Sequence, residues 1–106
     1  MTLIFNEKSI KNNIEVDKKL IPIIEKAFVD LSIGKIIMPP ILRLDIKEFL
    51  GEVDVKTAYV KGLDSFAIKI SPGFFNNPSL GLPTTSGIMI LLSSKTGEIE
   101  AILNDK

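Results

Sequence analysis

The chain has 106 residues, thirteen basic and thirteen acidic side chains, a net charge of zero, and neither cysteine nor histidine. That inventory excludes disulfides, thiolate nucleophiles, zinc clusters and histidine general bases, and it leaves only carboxylates as metal ligands, without EF-hand spacing. A nucleic-acid binder needs a basic excess and several arginines, whereas here the charges balance and Arg43 is the only arginine.

The length fits one domain with a real core but not two. Apolar residues make up 45% of the chain and the mean hydropathy is +0.30, which is high for so small a domain. Part of that apolar area is therefore expected to meet a partner, as in a homodimer. Met1 to Phe5 has no basic start and no long apolar run, so it does not read as a signal peptide. The longest apolar run, Ile88 to Leu92, is far too short to span a bilayer. The expectation is a soluble, cytoplasmic protein with no membrane partner.

In chain order, Leu3-Ile4-Phe5 reads as a short strand, and Asn6 as the cap of a brief helical turn over Glu7 to Lys11. Val16, Leu20, Ile23, Ile24, Ala27, Phe28 and Leu31 then recur at helical spacing. Asp17 is the expected N-cap and Gly34 the stop. Pro22 requires either a start near Ile21 or a bend. This helix is expected to pack on the core. Pro39-Pro40 forbids helix, so Lys35 to Asp45 reads as extended, with Arg43 opposite Leu42 and Leu44.

Glu48 to Asp54 reads as a turn centred on Gly51, followed by a strand. Val53, Val55, Thr57 and Tyr59 share one face of it, and Asp54, Lys56 and Ala58 the other. Lys61-Gly62-Leu63-Asp64 turns the chain into a second strand, Ser65 to Ser71, that alternates in the same way. A Pro/Gly/Asn-rich stretch follows and reads as an ordered loop from Pro72 to Pro83. Gly87 to Leu92 is apolar on both faces and so predicts a central strand. Ser94 to Gly97 predicts a hairpin turn, and Glu98 to Leu103 the return strand. The sum is an α+β architecture, with one main amphipathic helix packed on a mostly antiparallel sheet of five or six strands.

Lys69 leaves its strand beside Ala67 and Ser71, at the root of the loop, which leaves room for a carboxylate or phosphate. The plain alternative is a solvated lysine on an outward face. Arg43 is the second candidate, because a guanidinium grips carboxylates bidentately. Lys56, flanked by Asp54, reads as an ordinary surface lysine. Phe74 and Phe75 read as plugs beneath the loop. Asn77-Pro78-Ser79 is no glycosylation acceptor, because proline occupies its middle position. No residue stands out as catalytic, and no glycine-rich dinucleotide fingerprint occurs.

The run K-I-S-P-G-F-F-N-N-P-S-L-G-L-P-T from Lys69 to Thr84, with G-E-V-D-V-K-T-A-Y upstream, resembles the ornithine cyclodeaminase/mu-crystallin family. It is most similar to the ectoine-utilisation branch, and the likeness extends from about Asp17 to Asp105. The resemblance implies that Lys69 contacts the carboxylate of an amino-acid substrate and that Thr84 lies near a nicotinamide cofactor. Many members carry an arginine where this chain has Ile41, so Arg43 takes over that role only if it points into the same cavity. The resemblance also implies a homodimer and a separate Rossmann domain, downstream in the family, that binds NAD or NADP. Residues 1–106 would then be the substrate-binding and dimerisation lobe of an amino-acid/imine oxidoreductase or cyclodeaminase, inactive and without cofactor on its own. The other reading is a non-enzymatic ligand-binding or interaction module.

Overall fold

The computed structural model describes residues 2–13 and 20–104, so the expected cap Asp17 and the helical position Val16 lie outside the described residues. Its elements are β1 (Leu3–Phe5), α1 (Glu7–Asn13), α2 (Leu20–Ser32), β2 (Ile36–Ile37), β3 (Leu42–Ile46), β4 (Gly51–Val60), β5 (Ser65–Phe74), β6 (Ile88–Ser93) and β7 (Ile99–Asn104). Asn6 caps α1 as expected: its Oδ1 accepts the Ser9 backbone N–H at 2.8 Å. Gly34, at φ 78°, ends the turn after α2, where Lys35 N–H donates to Asp30 C=O at 2.9 Å. Pro22 lies in α2, three residues into its described span.

The sheet has seven strands rather than five or six. Its order is β1-β7-β6-β5-β4, and β2 and β3 share the outer edge of β4. It is mixed, because β1 runs parallel to β7 while every other pairing is antiparallel. Cross-strand partners share a face. Register therefore puts Arg43, Asp45, Glu52, Asp54, Lys56, Lys69 and Ser71 together on one side. Leu44, Val53, Val55, Ile68, Ile70, Ile88, Ile90 and Ile102 gather on the other. The alternation read from the sequence holds along both long strands.

Packing differs from expectation. The amphipathic helix does not cover the sheet: Phe28 is 69% exposed and Ile23 64%, and α2 meets the sheet mainly at β2. Among the described residues, Ala101 is the one buried hydrophobic side chain. The chain exposes 8263 Å², where a compact protein of this mass exposes about 5,900 Å². Its radius of gyration is 15.9 Å, against about 13 Å for a compact chain of this length. The apolar faces exist, but among the described residues they do not bury one another.

Two local expectations also change. The Pro72–Phe74 stretch is not loop but the end of β5, paired with Gly51 to Val53. Pro72 is tolerated because its carbonyl faces away from β4 and accepts Ser86 N–H at 3.3 Å. The ladder to β4 therefore loses no donor. The turn before β4 is centred on Leu50, at φ 50°, after a 3-10 turn over Lys47–Phe49. Gly51 is glycine for a different reason: a Cβ there would clash with the edge of the Phe74 ring.

Candidate substrate-binding site

Pro39-Pro40 shapes the site. β2 pairs with β4 up to Ile37↔Tyr59, and β3 resumes at Leu42↔Val55. Four residues, 38–41, thus stand opposite three, 56–58, and the prolines cannot supply ladder N–H groups. The segment lifts off the edge, and a cleft of about 250 Å³ opens beneath it. Met38, Pro39, Ile41, Lys56, Thr57, Ala58, Ala67 and Lys69 line this cleft.

Lys69 sits at the junction of two clefts. On its other side, about 320 Å³ is lined by Glu52, Asp54, Ser71, Phe75, Thr85 and Ser86 among others. The returning chain walls this second cleft. Phe74 N–H donates to Thr84 C=O at 2.8 Å, and Thr85 forms a bridge with Gly73. A 3-10 turn over Asn77–Leu80 shapes the loop between them, and Asn77 Nδ2 donates to Pro83 C=O at 2.9 Å. The loop is ordered by its own hydrogen bonds, as the Asn/Pro/Gly composition predicts. Lys69 is half-buried, so a carboxylate beside it would meet a cation already partly withdrawn from water.

The other candidates are placed differently. Arg43 shares the polar face but lines a separate depression with Asp45, Lys47, Leu50, Gly51, Glu52 and Phe75. Its guanidinium pairs with Asp45 at 3.2 Å and with Glu52. The hydrogen bond to Asp45, helped by the charge of Glu52, raises its pKa above the ordinary arginine value. Arg43 and Lys69 do not converge on one cavity. Thr84 is half-buried at the loop's end, and its carbonyl is engaged by Phe74; Thr85 and Ser86 are the hydroxyl residues that line the Lys69 cleft. Phe74 packs against Gly51, as a plug would, whereas Phe75 is 58% exposed in the cleft wall. No group of three or more carboxylates able to hold a metal ion occurs among the described residues.

Sequence reasoning did not place Lys56 beside Lys69. It is exposed, as a surface lysine should be, but it is also the direct cross-strand partner of Lys69 and lines the same cleft. The thirteen-residue spacing around a hairpin turn at Gly62 was the available signal, but the pairing register was needed to read it.

Fold and site together define a single-layer α+β platform, with a lysine-centred polar face and an uncovered apolar one. The chain belongs to the ornithine cyclodeaminase/mu-crystallin family, whose model matches residues 1–105. It is 57% identical over 96% of its length to a Rhizobium meliloti (strain 1021) protein that carries the name of a dehydrogenase. It is 52% identical, over 96% of its length, to an uncharacterized cyclodeaminase of Sinorhizobium fredii (strain NBRC 101917 / NGR234). In both cases it spans 31% of the relative's length. Among solved structures, an archaeal alanine dehydrogenase dimer with bound NAD superposes with a TM-score of 0.85 at 29% identity, over 97% of this chain and 31% of that one. The Thermococcus litoralis Δ1-pyrroline-2-carboxylate reductase, solved with NADH and L-proline, shares the fold at a TM-score of 0.88 and 24% identity, over 96% of this chain and 31% of that one.

Proposed function

We propose that residues 1–106 form the substrate-binding and dimerisation lobe of an NAD(P)-linked amino-acid/imine oxidoreductase or cyclodeaminase. The observation that carries this reading is the position of Lys69: half-buried, at the junction of two clefts, on the polar face of a family-typical sheet. Its ammonium group anchors the substrate carboxylate by a charge-assisted hydrogen bond and so fixes the α-carbon relative to the cofactor. The cofactor, NAD or NADP held by a separate domain, supplies or accepts the hydride. Thr84, beside the cleft wall, stands near the nicotinamide. A catabolic role for amino acids, ectoine-derived ones among them, agrees with the family branch that the motif resembles.

Dimerisation and the second domain account for the uncovered surface. The excess over a compact chain is about 2,400 Å², roughly three times what one partner buries in a standard interface of about 800 Å² per side. One ordinary contact is too small to cover it. A sheet-to-sheet contact with a second copy, together with a covering domain, is of the right size.

The test is NAD(P)H turnover by the complete polypeptide carrying this chain, assayed against a panel of α-amino acids and their imines. Lys69→Ala should weaken transition-state binding by roughly 2–4 kcal/mol, the scale for removing one partner of a desolvated charged pair. Thermal unfolding should move little, because Lys69 adds little packing. A complete polypeptide that neither binds a nicotinamide dinucleotide nor turns over any member of the panel would overturn the oxidoreductase reading.

A further inference from the structure

The second cleft beside Lys69 holds a carboxylate that the fold leaves unused. Asp54 stands opposite Ser71 across β4 and β5, which makes it the diagonal neighbour of Lys69 on the polar side of the sheet, about 7–8 Å away. It is half-buried and lines the cleft of about 320 Å³ together with Lys69. Among the described residues its carboxylate has no hydrogen bond and no ion pair. The cations around it are directed elsewhere. Arg43 faces Asp54 from β3, but its guanidinium is committed to Asp45 and Glu52. Lys56, two residues further along β4, is exposed and lines the other cleft. Glu52, the second carboxylate in the lining, is held by Arg43, so Asp54 is the acid that faces the cleft without a partner. A half-buried carboxylate has lost part of its hydration, and a cationic donor brought to it makes good that loss.

We infer that Asp54 is a specificity-determining residue that receives the α-ammonium group of the substrate, or the N–H of its imine, while Lys69 holds the carboxylate. The cleft then recognises a zwitterion and selects nitrogen-bearing acids over their hydroxy and oxo analogues. An α-amino acid carries its two charges on adjacent carbons, so it can bridge a cation and an anion that stand diagonally on one sheet face. An ammonium group gives Asp54 a charged donor, a hydroxyl gives it only a neutral one, and an oxo group sets an acceptor against an acceptor. Ser71, Thr85 and Ser86 add neutral hydroxyls to the lining. With Glu52 turned to Arg43, the charge polarity of the cleft is therefore set by Asp54 and Lys69. Lys69 is itself engaged, and its three N–H donors let a substrate carboxylate bind beside that contact. The inference rests on the reading of Lys69 as a carboxylate anchor, but its test reads the two residues separately and needs no turnover.

The probes are L-2-aminobutyrate, L-2-hydroxybutyrate and butyrate, which share chain and carboxylate and differ only at the α-carbon. Their binding to the complete polypeptide is measured by calorimetry with and without NAD+. The amino acid should bind the wild type tighter than either analogue by about tenfold or more, the value of one charge-assisted contact. Asp54→Asn should bring that preference towards unity and Asp54→Glu should keep it, a rescue that a merely structural role would not show. Asp45→Asn also takes a carboxylate from Arg43 but lies outside this cleft, so it should leave the preference intact. Lys69→Ala should weaken all three acids alike. A wild type without the preference, or a preference that survives Asp54→Asn, overturns the proposal. Failure to bind any of the three acids overturns it too. Binding unchanged by Lys69→Ala, with the preference still dependent on Asp54, would instead sink the carboxylate-anchor reading alone.

Discussion

Gly51→Ala is expected to loosen the base of the substrate loop, for a reason that lies in one contact. Gly51 is buried at the start of β4 and pairs in register with Phe74, whose ring edge takes the space a side chain would need. An added Cβ would clash with the ring edge, and even the ring's Cζ is 2.7 Å from that position. Carbon atoms attract at about 3.5–4.0 Å, so the ring must swing aside. Overpacking of this kind costs about 1–3 kcal/mol. In a domain of this size that lowers Tm by roughly 4–8 °C per kcal/mol. Because the obstacle is a side chain, trimming it should relieve the strain. Phe74→Leu alone should cost stability through lost packing, while the double variant Gly51→Ala/Phe74→Leu should recover at least half of the Gly51→Ala loss. The assay is a thermal or denaturant double-mutant cycle on the complete polypeptide. Strict additivity of the two substitutions, or a Gly51→Ala variant as stable as the wild type, would refute the reasoning.

The 106-residue chain by itself should run larger than its 11.7 kDa monomer mass and bind a hydrophobic dye. A clean monomer by light scattering at tens of micromolar, with no dye binding, would contradict the need for a cover. The same chain should show no dehydrogenase or deaminase turnover, and a rate scaling with its concentration would refute that. Arg43→Gln should reduce substrate affinity far less than Lys69→Ala, since Arg43 is committed to Asp45 and Glu52. Steady-state kinetics of the two variants side by side decides the point, and equal losses would restore Arg43 to the site. Leu50→Gly should be neutral or stabilising by about 0.5–1 kcal/mol, because relief of the left-handed φ outweighs the entropy of glycine. A clear loss on unfolding would mean that the Leu50 side chain is covered in the assembled protein.

What the sequence determined by itself is the local order of the chain. Period-two alternation from Val53 to Tyr59 and from Ser65 to Ser71 set both long strands and their two faces. Gly62 and Gly97 marked hairpin turns, Asn6 and Gly34 marked helix ends, and the proline- and asparagine-rich stretch marked a structured loop at Lys69. These are short-range effects, decided by neighbours a few residues apart, so they are legible in one dimension. Three things waited for the tertiary structure. Register made Lys56 the partner of Lys69, because a one-residue slip would have sent one of them to the opposite face. The mismatch of four residues against three at Pro39-Pro40 opened the cleft, a count visible only once β2 and β3 were seen to share one edge of β4. Last, the amphipathic helix announced an apolar face but not what it would meet. Burial depends on where surfaces are brought together in space, and among the described residues α2 meets the sheet mainly at β2 and leaves its apolar face exposed.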